Sequence, residues 1–399
     1  MNKTNRTNTP ARRITTGPKF HWFGYYDKLQ MDPTCRLVLG MEVAFEHRSP
    51  TENDVIKIGM VDLEDDDRWT ELGETRAWCW QQGCMLQWLP GSSDEIVWND
   101  FDGDRFVCHI LNVNTREKRT LPHAIYTLSA DGKTAVAPDF RRVQDMRPGY
   151  GYPGLPDPSA DDLSPSHSGI YRLDLDTGGC EEIISIAKVA EIPSPNIELS
   201  GAKHYFNHLL FNTDGSRFIF LHRWRFADSG FNTRMMTAAT DGSDIRVVDD
   251  FGHTSHFIWR DPDHILAWSW HPSNENKFYL YKDGVDDSSS RGASRPHVVG
   301  ESKMLVNGHC TYLPNTDWIL NDTYPMGKER VQSLYLYHVP TDRKFPIGDF
   351  PSPEPYQGEW RCDLHPRFSP DGKSVLIDSA HEGEGRQMYL IDVSETVES

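Results

Sequence analysis

Imidazole and guanidinium groups are the side chains of this sequence best suited to chemistry, and they cluster. His204, His208 and His222 fall in HYFNHLLFN and FLHRWR, beside Arg223 and Arg225. These two stretches read as an apolar strand pair, and His, Arg and Trp are unusual in the middle of one. His208 and His222 are therefore read as functional residues. The cluster is the densest basic group in an acidic chain and offers a local anion site, because nearby cations set the local field regardless of distant charge. A second group lies in PDFRRVQDMRPGYGY, which carries Arg141, Arg142, Arg147, Tyr150 and Tyr152. Guanidinium grips carboxylates in a bidentate fashion, and a Tyr ring offers a flat apolar face with a polar tip. Arg141, Arg142, Tyr150 and Arg223 are expected to bind an anionic ligand. Tyr25, in HWFGYYDK, is expected to point toward the same ligand.

These residues are far apart in the chain, so the fold must gather them. A phrase recurs along it: an aromatic or His entry, a short apolar strand, a tight turn, and two further strands. The clearest copy is HPRFSPDGKSVLIDSAHEGEGRQMYLIDVS near the end. Others begin at Phe206, Ala124 and Cys310, and weaker ones near His21, Gly83 and His253. About seven copies spaced by roughly 40–60 residues fit the period of a β-propeller blade. Asp-Gly turns join antiparallel strands in hairpins. Third strands such as VIKIGMVDLED and GIYRLDLDTG alternate apolar and polar residues, and no helical periodicity is sustained. The expectation is an all-β chain, one seven-bladed β-propeller of four-stranded antiparallel blades. It spans residues 1–399 as a single domain with a polar tail over about 1–12. The sequence after Arg12 is expected to supply a strand closing the last blade. Residues 144–168 and 284–296 are rich in Pro, Gly and Ser and read as long loops within blades.

Composition narrows the partners. With 41 Lys and Arg against 59 Asp and Glu, the formal charge is −18, which repels phosphate backbones and argues against nucleic acid. No stretch approaches the roughly 18 apolar residues of a membrane span. The N-terminus has no apolar core of a signal peptide, so a cytoplasmic location is expected, or a periplasmic one if a leader has been trimmed. Seven scattered cysteines read as free thiols in a reducing compartment. No Gly-rich phosphate loop, G-x-S-x-G elbow or H-E-x-x-H helix is present. Oligomeric state is not legible.

HTSHFIW, NGHCTY and HPRFSPDGK, taken together, resemble the oligogalacturonate lyase family. Its members are seven-bladed propellers related to ulvan lyases and TolB-like propellers. The resemblance covers roughly residues 204–395. It implies an enzyme that cleaves a uronic-acid sugar by β-elimination, with an acidic oligosaccharide as its partner. It implies His256 as the base and Arg234, in FNTRMM, as the group that neutralises the carboxylate. It implies a channel metal held by His309 and His365. At the last blade the family reads Gln and then His-Pro-His, whereas this chain reads Cys362, Asp363, Leu364, His365, Pro366, Arg367. Asp363 is expected to stand in for the missing His and Cys362 for the Gln.

β-Elimination needs a cation against the carboxylate, a base for the α-proton and a proton source for the leaving oxygen. A neutral imidazole near its usual pKa of about 6.5 suits the second task. Asp363 and His365 are two apart and share one side of a strand. Imidazole plus carboxylate suits manganese, while a Cys ligand favours zinc, so a divalent manganese or zinc ion is the expected cofactor. The rival reading is a non-catalytic TolB-like propeller acting as an interaction platform. No pair of carboxylates suited to a glycoside hydrolase can be picked out.

Overall fold

The computed structural model describes residues 9–227, 229–284 and 296–398. Seven four-stranded antiparallel sheets form the blades of a β-propeller. Each of the seven repeat phrases opens one blade, with its turn joining the first and second strands. The seventh blade is completed by Ala11–Arg13, which pairs with Gln387–Asp392. The residues around Arg12 thus close the ring with a strand from the other end of the chain. The loop expected at 284–296 falls mostly on residues 285–295, which lie outside the described residues, as do residues 1–8 of the tail. No helix among the described residues is long and apolar enough to cross a membrane.

Alternation along each strand sends apolar side chains into the layers between blades. One layer joins blades two, three and four through Val97, Ile110, Val136, Phe206 and Phe220. Another joins blades seven, one and two, where Trp22, Trp78 and Trp80 meet with ring centroids 5.1–5.7 Å apart.

The region holding the loop expected at 144–168 is not all plain loop. It begins with a short helix, Phe140–Met146, whose first turn is capped by Asp139 accepting from the Arg141 N–H. Seven residues are too few for a periodic signal, so the helix was not legible.

Three local devices aim side chains at the axis. In Lys203–Phe211 the register slips between Asn207 and Leu210, and His208 takes φ 52°. His365 takes φ 42°. A left-handed backbone costs a non-glycine residue about 1–2 kcal/mol, which the packed surroundings sustain. At the ring closure, Asp378 accepts from the Phe23 and Gly24 N–H groups at 3.0–3.2 Å and from Arg367 at 2.7 Å. Gly24 itself has φ 103°, and a Cβ there would lie 3.0 Å from the Gln82 carbonyl carbon. That close approach of the segments entering blades one and two carries the next residues, Tyr25 and Tyr26, to the centre.

Candidate functional site

His256, His309 and His365 sit where the chain enters blades five, six and seven, and the ring brings them together. The His256 and His309 ring centroids are 4.2 Å apart, and those of His309 and His365 are 4.3 Å apart. Tyr25 and Tyr26 lie against them at 5.2–6.1 Å. All five residues are buried. His309 is held by Asp322, which accepts from its backbone N–H at 2.7 Å and its Nδ1–H at 2.9 Å. Gly308 makes this possible, since a Cβ there would fall 1.9 Å from the Asp322 carbonyl oxygen.

With Nδ1 committed, the His309 Nε2 is left without a partner. The His365 Nε2 and the Asp363 Oδ1 are also buried and unpartnered. Donor atoms of these three residues lie within 4.8 Å of one another. Three orphaned donors in one buried spot fit a divalent ion, since unpaired buried polar atoms are otherwise costly. Two imidazoles and a carboxylate suit a manganese-like or zinc-like ion. Burial, and then the neighbouring His309, hold the His365 imidazole well below its ordinary pKa, in the neutral form that ligates. Cys362 is not part of the group. Its side chain packs with Tyr356 and Ala380, and burial pushes its thiol pKa up.

A pocket of about 160 Å³ opens beside this centre. Its walls include Arg147, Tyr150, His208, Arg223, His256 and Tyr324, and Phe231 stands at its edge. Arg223 is only 3% exposed, yet its Nε and Nη1 have no acceptor. Arg147 Nη1 is likewise unpartnered. Among the described residues neither arginine has a carboxylate partner; each rests on the Phe231 ring, 4.6 Å from its centroid. Burial, and then the Arg147 cation, lower the Arg223 pKa. Tyr150 accepts from Arg361 Nη2 at 2.7 Å, and Arg361 Nε donates to Asp363 Oδ2 at 2.6 Å. Pocket and ligand trio are thereby linked through one guanidinium.

His256 Nδ1–H donates to Asn307 Oδ1 at 3.0 Å, while Asn307 Nδ2 donates to Ser255. That fixes the tautomer with the lone pair on Nε2, 3.3 Å from the Tyr324 hydroxyl. Burial, and then His309, keep His256 well below its ordinary pKa. His208 stacks on Tyr25 at 5.2 Å and meets Gln82 Nε2 at 3.1 Å.

Other candidates lie elsewhere. Arg234 donates to His222 Nδ1 at 2.9 Å and to the carbonyls of Ile192 and Val189 at 3.0 and 2.7 Å. The neutralising role that the resemblance implied for it has no free donor facing the pocket. His222 is enclosed between Arg234 and His204. Arg142 is buried and spent on Asp157 and on the carbonyls of His204, Ser159 and Asp162. Arg141 pairs with Asp139 in a separate cavity between blades two and three. Asn307, Asp322, Tyr324 and Arg361 were not singled out from sequence. Asn307 lies two residues before His309 and Arg361 two before Asp363, so proximity to a motif was the one available signal.

No protein-family model matches the chain, and no curated protein does. Among solved structures it is similar to an oligogalacturonate lyase in complex with manganese, at 16% identity over 99% of this chain and 96% of that one, with a TM-score of 0.68. The oligogalacturonate lyase of Vibrio parahaemolyticus gives 15% identity, 98% and 96% coverage and a TM-score of 0.68. The β-propeller domain of the Trilobed protease from Pyrococcus furiosus gives 10%, 93% and 96%, and 0.51. These likenesses establish the shared propeller fold.

Proposed function

We propose that the protein is a lyase that cleaves an acidic, uronate-containing oligosaccharide by β-elimination. The observation that carries this reading is the pair Arg147 and Arg223. Two neighbouring guanidinium groups with no carboxylate partner among the described residues, one of them buried, are unfavourable unless an anion joins them. A uronate carboxylate supplies that anion. The same pocket holds a neutral imidazole and a phenol, and the fold is shared with solved oligogalacturonate lyases.

In this reading Arg147 and Arg223 hold the carboxylate and stabilise the charge that develops on it as the α-proton leaves. His256 Nε2 takes that proton, with Asn307 keeping Nδ1 protonated. The electron pair of the broken C–H bond forms the new double bond, and the C–O bond to the departing sugar breaks. Tyr324 donates its proton to the departing oxygen; burial and the nearby Asp363 charge push its phenol pKa well up and keep it protonated until then. His309, Asp363 and His365 would hold a divalent ion, whose chemistry is further positive charge against the carboxylate. His208, seated on Tyr25, also lines the pocket and offers a donor to sugar hydroxyls.

The test is incubation with oligosaccharides from pectin, alginate and ulvan, followed by the ultraviolet absorbance of the unsaturated product. Absorbance that grows with the wild-type protein and not with His256→Ala supports the reading. No unsaturated product from any of the three ends it and leaves a binding propeller in its place.

A further inference from the structure

The pocket is too small for the ligand assigned to it. Cavities that enclose a drug-sized ligand run to roughly 300–1,000 Å³. This one holds about 160 Å³, and its His208 wall is backed by the buried ring of Tyr25, stacked at 5.2 Å. Part of any oligosaccharide must therefore lie outside, across the rim.

Of the twelve residues that line the pocket, ten are buried or half-buried and two, Phe231 and His253, are exposed. Phe231 leaves 46% of its surface open, and it is one of six large hydrophobic residues so exposed among the described residues. It begins the strand Phe231–Ala239, opposite Arg225 in the register. Its ring is steadied by Arg147 and Arg223, both 4.6 Å from its centroid. An open aromatic ring, fixed in place beside the anion-holding groups, presents a flat apolar surface where a second ring must pass. A pyranose has a matching face of C–H bonds, and aromatic rings bury large area at low cost in side-chain freedom.

We infer that Phe231 is the stacking platform for the sugar next to the one held in the pocket, and that this contact sets how tightly the oligosaccharide is held. The inference rests on the lyase reading. Phe231 is a binding residue that sets chain-length preference and takes no proton.

The experiment compares wild type with Phe231→Ala, Phe231→Leu and Phe231→Trp. A monosaccharide uronate is titrated by calorimetry, and KM and kcat are measured on the di- and trisaccharides that the wild type cleaves. Phe231→Ala should raise the oligosaccharide KM about tenfold, the effect of one contact of ordinary strength. It should leave kcat within about twofold and, because Arg147 and Arg223 also rest on this ring, weaken monosaccharide binding clearly less than it raises the oligosaccharide KM. Phe231→Trp should restore the KM, and Phe231→Leu should not. If Phe231→Ala leaves the oligosaccharide KM unchanged, or weakens monosaccharide and oligosaccharide alike, the platform is overturned while the lyase reading stands. The same holds if Leu serves as well as Phe. If the wild type cleaves no uronate oligosaccharide, the lyase reading falls and the platform with it.

Discussion

His222 and Arg223 are neighbours on one strand and live in opposite worlds. His222 faces a layer between blades, where Arg234 and His204 satisfy both ring nitrogens at 2.9 Å. Arg234 in turn spends its remaining N–H groups on backbone carbonyls. Arg223 faces the pocket with two nitrogens unpartnered. Both clusters combine guanidinium and imidazole groups. One is complete and holds blade four to the segment before it; the other leaves donors open, which the proposed function fills with an anion. A polar group's role is told by what it lacks, and residue type alone does not reveal it.

Exchanging the two arginines for alanine should separate these roles. Arg223→Ala should reduce the rate of unsaturated product by about 10²–10³-fold, as expected for losing a group aimed at developing charge. It should leave the melting temperature unchanged or raised, because an unpaired buried charge is removed. Arg234→Ala should do the reverse. Several buried acceptors lose their donor, so denaturant unfolding should show a loss of about 3 kcal/mol. A fall in activity for Arg234→Ala beyond what its unfolded fraction explains would blur the contrast.

The same contrast extends to the histidines. His256→Ala should lower kcat by about 10²–10⁴-fold, the usual contribution of a general base. His222→Ala should lower stability and leave the kcat of the folded protein unchanged. At the ligand trio, Asp322→Asn should weaken manganese binding about 10–100-fold by calorimetry, since it orients His309 from behind. The smallest effect concerns pH. Burial, and then the Arg234 cation, lower the His204 pKa to about 4, below the roughly 6.5 of an unfolded chain. Between those values the unfolded state binds more protons. Stability is therefore fully present above about pH 6.5 and is lost as the pH falls toward 4. A melting temperature flat across that window would contradict this, and His204→Asn should shallow the decline.

The fold was legible because seven entry phrases and their turns each encode a blade, and the ring follows from the count. The three axial histidines were legible for the same reason, as each begins a blade. Which side of a strand a residue faces was harder to read. Arg223 and Arg234 lie on the two middle strands of blade four, and a bulge at His208 resets the alternation nearby. Asn307, Tyr324 and Arg361 lie on irregular connections, where no period points to the axis. Arg142 reads as a free loop cation until the turns of 157–163 fold over it.

The strand Ala11–Arg13 gives the protein one further property. It docks on Gln387–Asp392, and Asp378 of that same blade grips the backbone just ahead of Tyr25. A ribosome making this polypeptide must emit its final blade before the earliest residues find their partners. Asp363 and His365 also arrive only then. The proposed site is thus incomplete in any fragment that lacks the last blade and is assembled as the circle shuts.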